Sequence, residues 1–320
     1  MKIPTMLSEL DALPSVKLGD YILRFELEDL TPFSQEVAFR ELRETSENKA
    51  NGIQELRKLL QQEENLIVPF DNDDWLVRFL RPTKFYPQSA FELIKRYYSF
   101  KIKHHEIYND LVPSKEENIF KANILSVFPN RDQLARRILL LELGKKWNHK
   151  EVSLDEVFKG VVLFLEAAML EPETQVNGAV VIFDMDGLSL QQAWQFSPPF
   201  AKRIVDWLQD SVPLRVKAIH IVNQPKIFNM VFALFKPFLK EKLRNRIYFH
   251  GNDRESLHNH ISPKCLPKEY NGSIDLPKVS GNDWYELLLK CDQEYLALNN
   301  YGYIKDREAK ERKKKNKSSK

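Results

Sequence analysis

Asp184 and Asp186, in the run FDMDG, come closest in type and spacing to a catalytic pair. Two carboxylates can divide acid and base work when their surroundings push their pKa values apart. They follow an apolar run that reads as a strand, at the end where α/β proteins often place their sites. A turn at Gly187 is the simpler account, since aspartates cap such turns. His220, between Ile219 and Ile221, reads as a hydrogen-bonded packing residue on a strand. The pairs His104/His105 and His258/His260 lack cysteines or carboxylates at ligand spacing, so no metal site is expected. Cys265 and Cys291 are too few for a disulfide framework or a thiolate cluster. There is no G-x-G-x-x-G after a strand, no P-loop and no G-x-S-x-G elbow. The expectation is a protein without catalytic residues, cofactor or metal.

A different chemistry is written between Arg215 and Gly251, RVKAIHIVNQPKIFNMVFALFKPFLKEKLRNRIYFHG. Two cations, Arg215 and Lys217, precede the strand-like run AIHIVN. After Pro225 comes a segment apolar on nearly every face: Ile227, Phe228, Met230, Val231, Phe232, Ala233, Leu234 and Phe235. A surface helix keeps a polar face, and a membrane span needs about 20 residues. The segment is therefore a core helix, a cover over an apolar cavity, or an element that touches a membrane surface. Lys236, Lys240, Lys242, Arg244 and Arg246 follow it. An apolar plug framed by cations suits contact with anionic lipid.

The elements that would position these residues can be read in order. Residues 1–30 read as extended or loosely packed. Helices are expected from Thr31 or Ser34 to Ser46, from Ile53 to Glu64 with Ile53, Leu56, Leu59 and Leu60 on one face, from Asp71/Asp73 to Pro82, and from Pro87 with Phe91, Ile94, Tyr97, Tyr98 and Ile102 at helical spacing. This predicts a helical unit over 31–110 with no strand signal. From Arg136 the pattern changes. Strands are expected at Ile138–Gly144, Ala179–Gly187, AIHIVN and RIYFHG. Helices lie between them at Leu154–Leu170 and Ser197–Ser211, and the apolar segment is the last. Alternating strands and helices predict a mostly parallel sheet. The fold class is thus α/β: a helical N-terminal bundle, an α/β lobe over 111–276, and a helix from Asp283 to Leu298 within 277–304. The net charge of +3 hides a tail, 305–320, with nine Lys/Arg and three Asp/Glu, so the body is acidic. That argues against a nucleic-acid partner, and the tail reads as disordered. No apolar leader or long apolar run occurs, so a cytoplasmic chain is expected.

RFLR near the end of the helical unit, VNGAVVIFDMDG, and the stretch from DSVPLRVK to FHG together resemble the CRAL-TRIO (Sec14-like) family. They are most similar to its tocopherol-transfer and retinaldehyde-binding branch, over roughly Asp71 to Leu276. The resemblance implies a sheet flooring an apolar lipid cavity that a mobile helix closes. It implies lining residues Val161, Leu165, Phe183, Phe196, Leu208, Val212, Val216 and Ile219, and a lid containing Ile227, Phe228, Val231, Phe232 and Phe235. It also implies phosphoinositide contact through Arg215, Lys217, Lys242 and Arg246. A further basic position of the branch is Thr83 here, with Lys84 beside it. The branch places small hydroxyl side chains where Val161 and Leu165 stand, so a tocopherol hydroxyl loses those partners. The implied function is a monomeric carrier of a hydrophobic small molecule, tocopherol-like or, better suited, a retinoid, carotenoid or other prenyl lipid. It releases its cargo at phosphoinositide-containing membranes, to which it binds peripherally. A lipid-responsive signalling adaptor is the alternative.

Overall fold

Strand alternation decides which side chains meet. In a computed structural model that describes residues 13–304, five strands form the central sheet. Their order is Leu125–Arg131, Arg137–Glu142, Ala179–Asp184, Val216–Val222 and Ile247–Gly251. The first pair is antiparallel and the rest are parallel. Register lines up Leu139, Val181 and Ile219 in one row, and Leu141, Phe183 and Ile221 in the next. Side chains alternate along a strand. Ile138, Leu140, Val180, Ile182, Ala218 and Val222 therefore point to the other face, where they form a second core with Leu257, Ile261, Leu266 and Tyr270. Both faces are covered, which is why these strands read as continuous apolar runs.

The crossover helix Leu154–Ala168 starts at a capping box in which Ser153 and Glu156 satisfy each other's backbone donors. The next, Pro198–Asp206, is capped by Ser197 and widens into a π-helical turn over Trp207–Ser211. Ahead of the sheet lie the helices Pro32–Leu42, Ser46–Gln61, Asp73–Leu80 and Pro87–Lys103, the first three capped by Thr31, Thr45 and Asn72. Leu56, Leu76, Leu80 and Ile94 are fully buried among them. The main core continues without a break from these residues to Leu163 and Leu165 of the lobe.

Four expectations need correction. Residues 13–30 are not loosely packed: Ser15–Leu18 and Tyr21–Arg24 form a hairpin, and Val16, Leu23 and Phe25 are buried. Gly19, at φ +63°, opens its two-residue turn; alternation on either side of Gly19-Asp20 was the available signal. The sheet also has a fifth strand, Leu125–Arg131, at its antiparallel edge. Pro129 breaks the run LSVFPNR, and the register shifts there, as edge strands tolerate. The C-terminal helix is two helices, Gly281–Leu289 and Asp292–Leu298. The helical region is not free of strands: Leu66–Ile67 pairs with Gly302–Tyr303 and ties this region to the C-terminal end of the described chain. Residues 1–12 and the basic tail 305–320 lie outside the described residues.

Candidate functional site

The row Leu139–Val181–Ile219 faces the helices Leu154–Ala168 and Pro198–Asp206, and a cavity of about 180 Å³ remains between them. That is about ten times the room a single water requires. The structure brings Val161, Leu165, Phe183, Phe196, Leu208, Val212, Val216 and Ile219 together on its wall. Sequence reasoning missed Val127, Leu139 and Leu141 from the first two strands, Leu143 just after the second, Phe25 just after the hairpin and Trp284 from the C-terminal region. The alternation of Leu139 and Leu141 was the signal for part of this set. Phe25 and Trp284 come from distant segments and left none.

Among the lining residues only Arg137 and Glu171 are charged, and no Ser or Thr is present. These two are committed to each other. Arg137 donates to both Glu171 oxygens, at 2.9 and 2.6 Å. Glu171 also accepts from Arg131 at 2.9 Å, Thr174 at 2.7 Å and the Glu26 amide at 3.1 Å. Burial pushes the Glu171 carboxyl up, but Arg137 and Arg131 outweigh it and hold it at about 2. The cavity wall is therefore largely apolar, its one charged pair being saturated from within the protein.

The apolar segment forms the helix Phe228–Phe235. Phe235 lines the cavity and sits 6.3 Å, ring to ring, from Phe196. Phe228 and Val231 are buried, while Ile227 and Phe232 are half-buried against the main core. Asn229, Met230 and Ala233 face outward. The neighbouring helix Leu190–Ala193 packs against this one, and Leu190 and Trp194 there are 45% and 65% exposed. Phe249, 4.8 Å from Phe232, is exposed as well. The outer side of this helix and its neighbours is thus more apolar than a solvated face requires. At its C-terminal end Lys240 is fastened to the π-turn: its amide and ammonium bond Gln209 and Asp210 at 2.7 and 2.6 Å.

Of the four cations, three gather. Arg215 and Lys217 share the Glu41 carboxylate, and Arg246 donates to the Val216 carbonyl. Burial, then Arg215, lowers the pKa of Arg246. Lys242 stands exposed on the short helix Glu241–Arg244, apart from this network. Thr83 folds back onto the Phe79 carbonyl, leaving Lys84 exposed.

The titratable residues raised first lie elsewhere. Asp184 accepts from the Asp186 amide, the Asn223 amide group and the Tyr270 hydroxyl, and Asp186 pairs with Lys145. His220 faces away from the cavity, is 0% exposed, and its Nδ1 lies 3.0 Å from His250 Nε2, with the His260 ring tilted 5.3 Å away. Its gathering with two other histidines was not visible in sequence. Burial, then the neighbouring histidines, lowers His220 to about 3 and His250 to about 4. Unfolded histidines titrate near 6.5, so the unfolded state takes up protons first as pH falls. Stability is complete above about pH 6.5 and is lost below it, by on the order of 2 kcal/mol for each fully buried histidine at pH 5. Denaturant midpoints between pH 7 and 5 should fall accordingly, and His220→Gln should flatten the slope; equal slopes would contradict this.

Comparisons with known proteins fit this geometry. The CRAL/TRIO domain profile matches residues 121–272. Human "Alpha-tocopherol transfer protein-like" is 35% identical over 291 residues, 91% of this chain and 82% of the relative. The chain belongs to the CRAL-TRIO family. Among its other CRAL-TRIO relatives, rat Clavesin-1 is 33% identical over 276 residues, 85% of this chain and 76% of that one. The crystal structure of Sfh5 superposes with a TM-score of 0.45 at 15% identity, covering 78% of this chain and 98% of that chain. Within the CRAL-TRIO match fall the sheet, the cavity helices and the apolar helix Phe228–Phe235. Among the described residues no helix is long and apolar enough to cross a membrane.

Proposed function

We propose that this protein carries a hydrophobic lipid in the cavity and releases it at phosphoinositide-containing membranes, without catalysing a reaction on it. The carrying observation is the wall: a space between the sheet and the helices whose one charged pair is internally saturated. The family and the name of the human relative support a lipid as its guest. A guest hydroxyl finds no side-chain hydroxyl at Val161 or Leu165, which favours a retinoid, carotenoid or other prenyl lipid over tocopherol.

The energetics suit carriage. A lipid of about 20 carbons gains about 0.8 kcal/mol per buried CH₂, on the order of 15 kcal/mol in all. Ordering and desolvation remove much of this, and the remainder keeps the lipid out of water. Release then needs a second apolar phase, which a bilayer supplies to a cover helix whose outer side carries Met230 and whose neighbours are Leu190 and Trp194. The helical unit over 31–110 and the lobe over 111–276 would act as frame and container.

Native mass spectrometry of the purified chain, followed by solvent extraction, tests the reading. The intact mass should exceed that of the polypeptide by one lipid. Val161→Trp fills existing space rather than overpacking a solid core, so the variant should fold and retain at least about tenfold less lipid, a loss of 1.4 kcal/mol or more. A lipid-free wild type, with uptake from doped vesicles unaffected by Val161→Trp, would refute carriage in this cavity.

A further inference from the structure

The geometry points to Glu41 as an internal counter-ion that occupies the Arg215/Lys217 site and sets how much negative charge a headgroup must carry to displace it. This rests on the reading of those cations as a headgroup site and adds a selectivity element from the helix Pro32–Leu42, far away in sequence. One carboxylate oxygen, Oε2, accepts from Arg215 Nη2 at 2.5 Å and from Lys217 Nζ at 3.1 Å. A single oxygen bridging two cations is also what a phosphate oxygen does in such a site. The Glu41 side chain is 36% exposed, so an incoming anion can reach the pair from solvent. Arg215 first, with Lys217, holds its carboxyl at about 2 against the upward push of burial. It therefore stays charged at any physiological pH, and the competition is permanent.

The exchange can be weighed by charge. A singly charged headgroup replaces one carboxylate by one anion and gains little. A phosphomonoester carries about −1.5 to −2 and three acceptor oxygens, so it replaces Glu41 and has charge left for Arg246. That residue's pKa is lowered by burial and by Arg215, so it too gains from an added anion. Displacement needs only a side-chain movement. The helix is anchored independently through Val37, Ala38 and Leu42 against Val176, and through Ser34 to Glu173. Glu41 thus filters for headgroups bearing phosphomonoesters over singly charged lipids.

The test compares wild type, Glu41→Gln, Glu41→Asp and Arg215→Ala/Lys217→Ala for binding to phosphatidylcholine vesicles. These are doped with either phosphatidylinositol bisphosphate or phosphatidylserine, and soluble inositol trisphosphate is titrated in parallel. Removing one counter-charge should strengthen Glu41→Gln binding to phosphatidylserine vesicles by about fivefold, the equivalent of one cation freed at an anionic surface. Preference for the bisphosphate should narrow. Glu41→Asp keeps the charge and should keep the wild-type preference. A gain for soluble inositol trisphosphate as well would support recognition of the phosphate itself; a gain confined to vesicles would support the same filter with the bilayer as its source. No gain in Glu41→Gln, while the double-alanine variant loses binding, overturns the counter-ion and leaves the headgroup site standing. A gain equal in Glu41→Asp and Glu41→Gln also overturns it, because side-chain length rather than charge would then decide. Unchanged binding by the double-alanine variant removes the headgroup site and the filter together.

Discussion

Glu171→Ala is expected to destabilise the protein by about 3–5 kcal/mol, the range for removing one partner of a buried ion pair. The substitution leaves Arg137, 5% exposed, without the carboxylate that accepts from its Nε and Nη2, and with only the less buried Glu26 beside it. It also removes an acceptor for Arg131, Thr174 and the Glu26 amide. Glu26 itself bridges Arg131 and Arg137, so this network fastens the segment after the hairpin to the lobe. Denaturant titration should show the loss, and limited proteolysis should reach the segment around residue 26 sooner. A change below about 1 kcal/mol would mean the network is dispensable, since ordinary surface pairs are worth that or less. Replacing Arg137 and Glu171 together by leucine should cost far less, because no charge is then stranded.

Neutralising Arg215, Lys217, Lys242 and Arg246 together is expected to leave lipid retention intact and to slow transfer to phosphoinositide vesicles by at least about tenfold. Each cation near an anionic surface contributes about 1 kcal/mol, so four supply more than the 1.4 kcal/mol that a tenfold change needs. The full sum is not reached because Glu41 already neutralises part of the charge on Arg215 and Lys217. Fluorescent-lipid transfer between vesicles measures this directly. Transfer at the wild-type rate to phosphoinositide vesicles would count against a role for these cations in release. The cations can bias the cover only if their contacts differ between its closed and open arrangements, and salt should weaken the effect in wild type.

Much of this protein was written locally. Apolar runs of strand length, the Ser197 cap ahead of two prolines, and Pro225 ahead of an apolar helix follow from the neighbours of each residue in the chain. Those signals sufficed for the α/β class, for four of the five central strands and for the existence of the apolar helix. The edge strand escaped because Pro129 and a register shift blur its alternation. The hairpin escaped although Gly19-Asp20 marked it.

What the chain alone could not decide is where separate segments meet. Phe25 and Trp284 reach the same cavity from opposite ends of the sequence, Glu41 reaches Arg215 across 174 positions, and His220 finds His250 and His260 on the far face of the sheet. Periodicity fixes the face a residue belongs to, because it depends on backbone geometry within one element. It carries no record of which other face that element will be packed against, since that contact depends on the fit of whole surfaces. The room left between them, the pairing of Arg137 with Glu171 and the carboxylate on Arg215 and Lys217 are products of that fit.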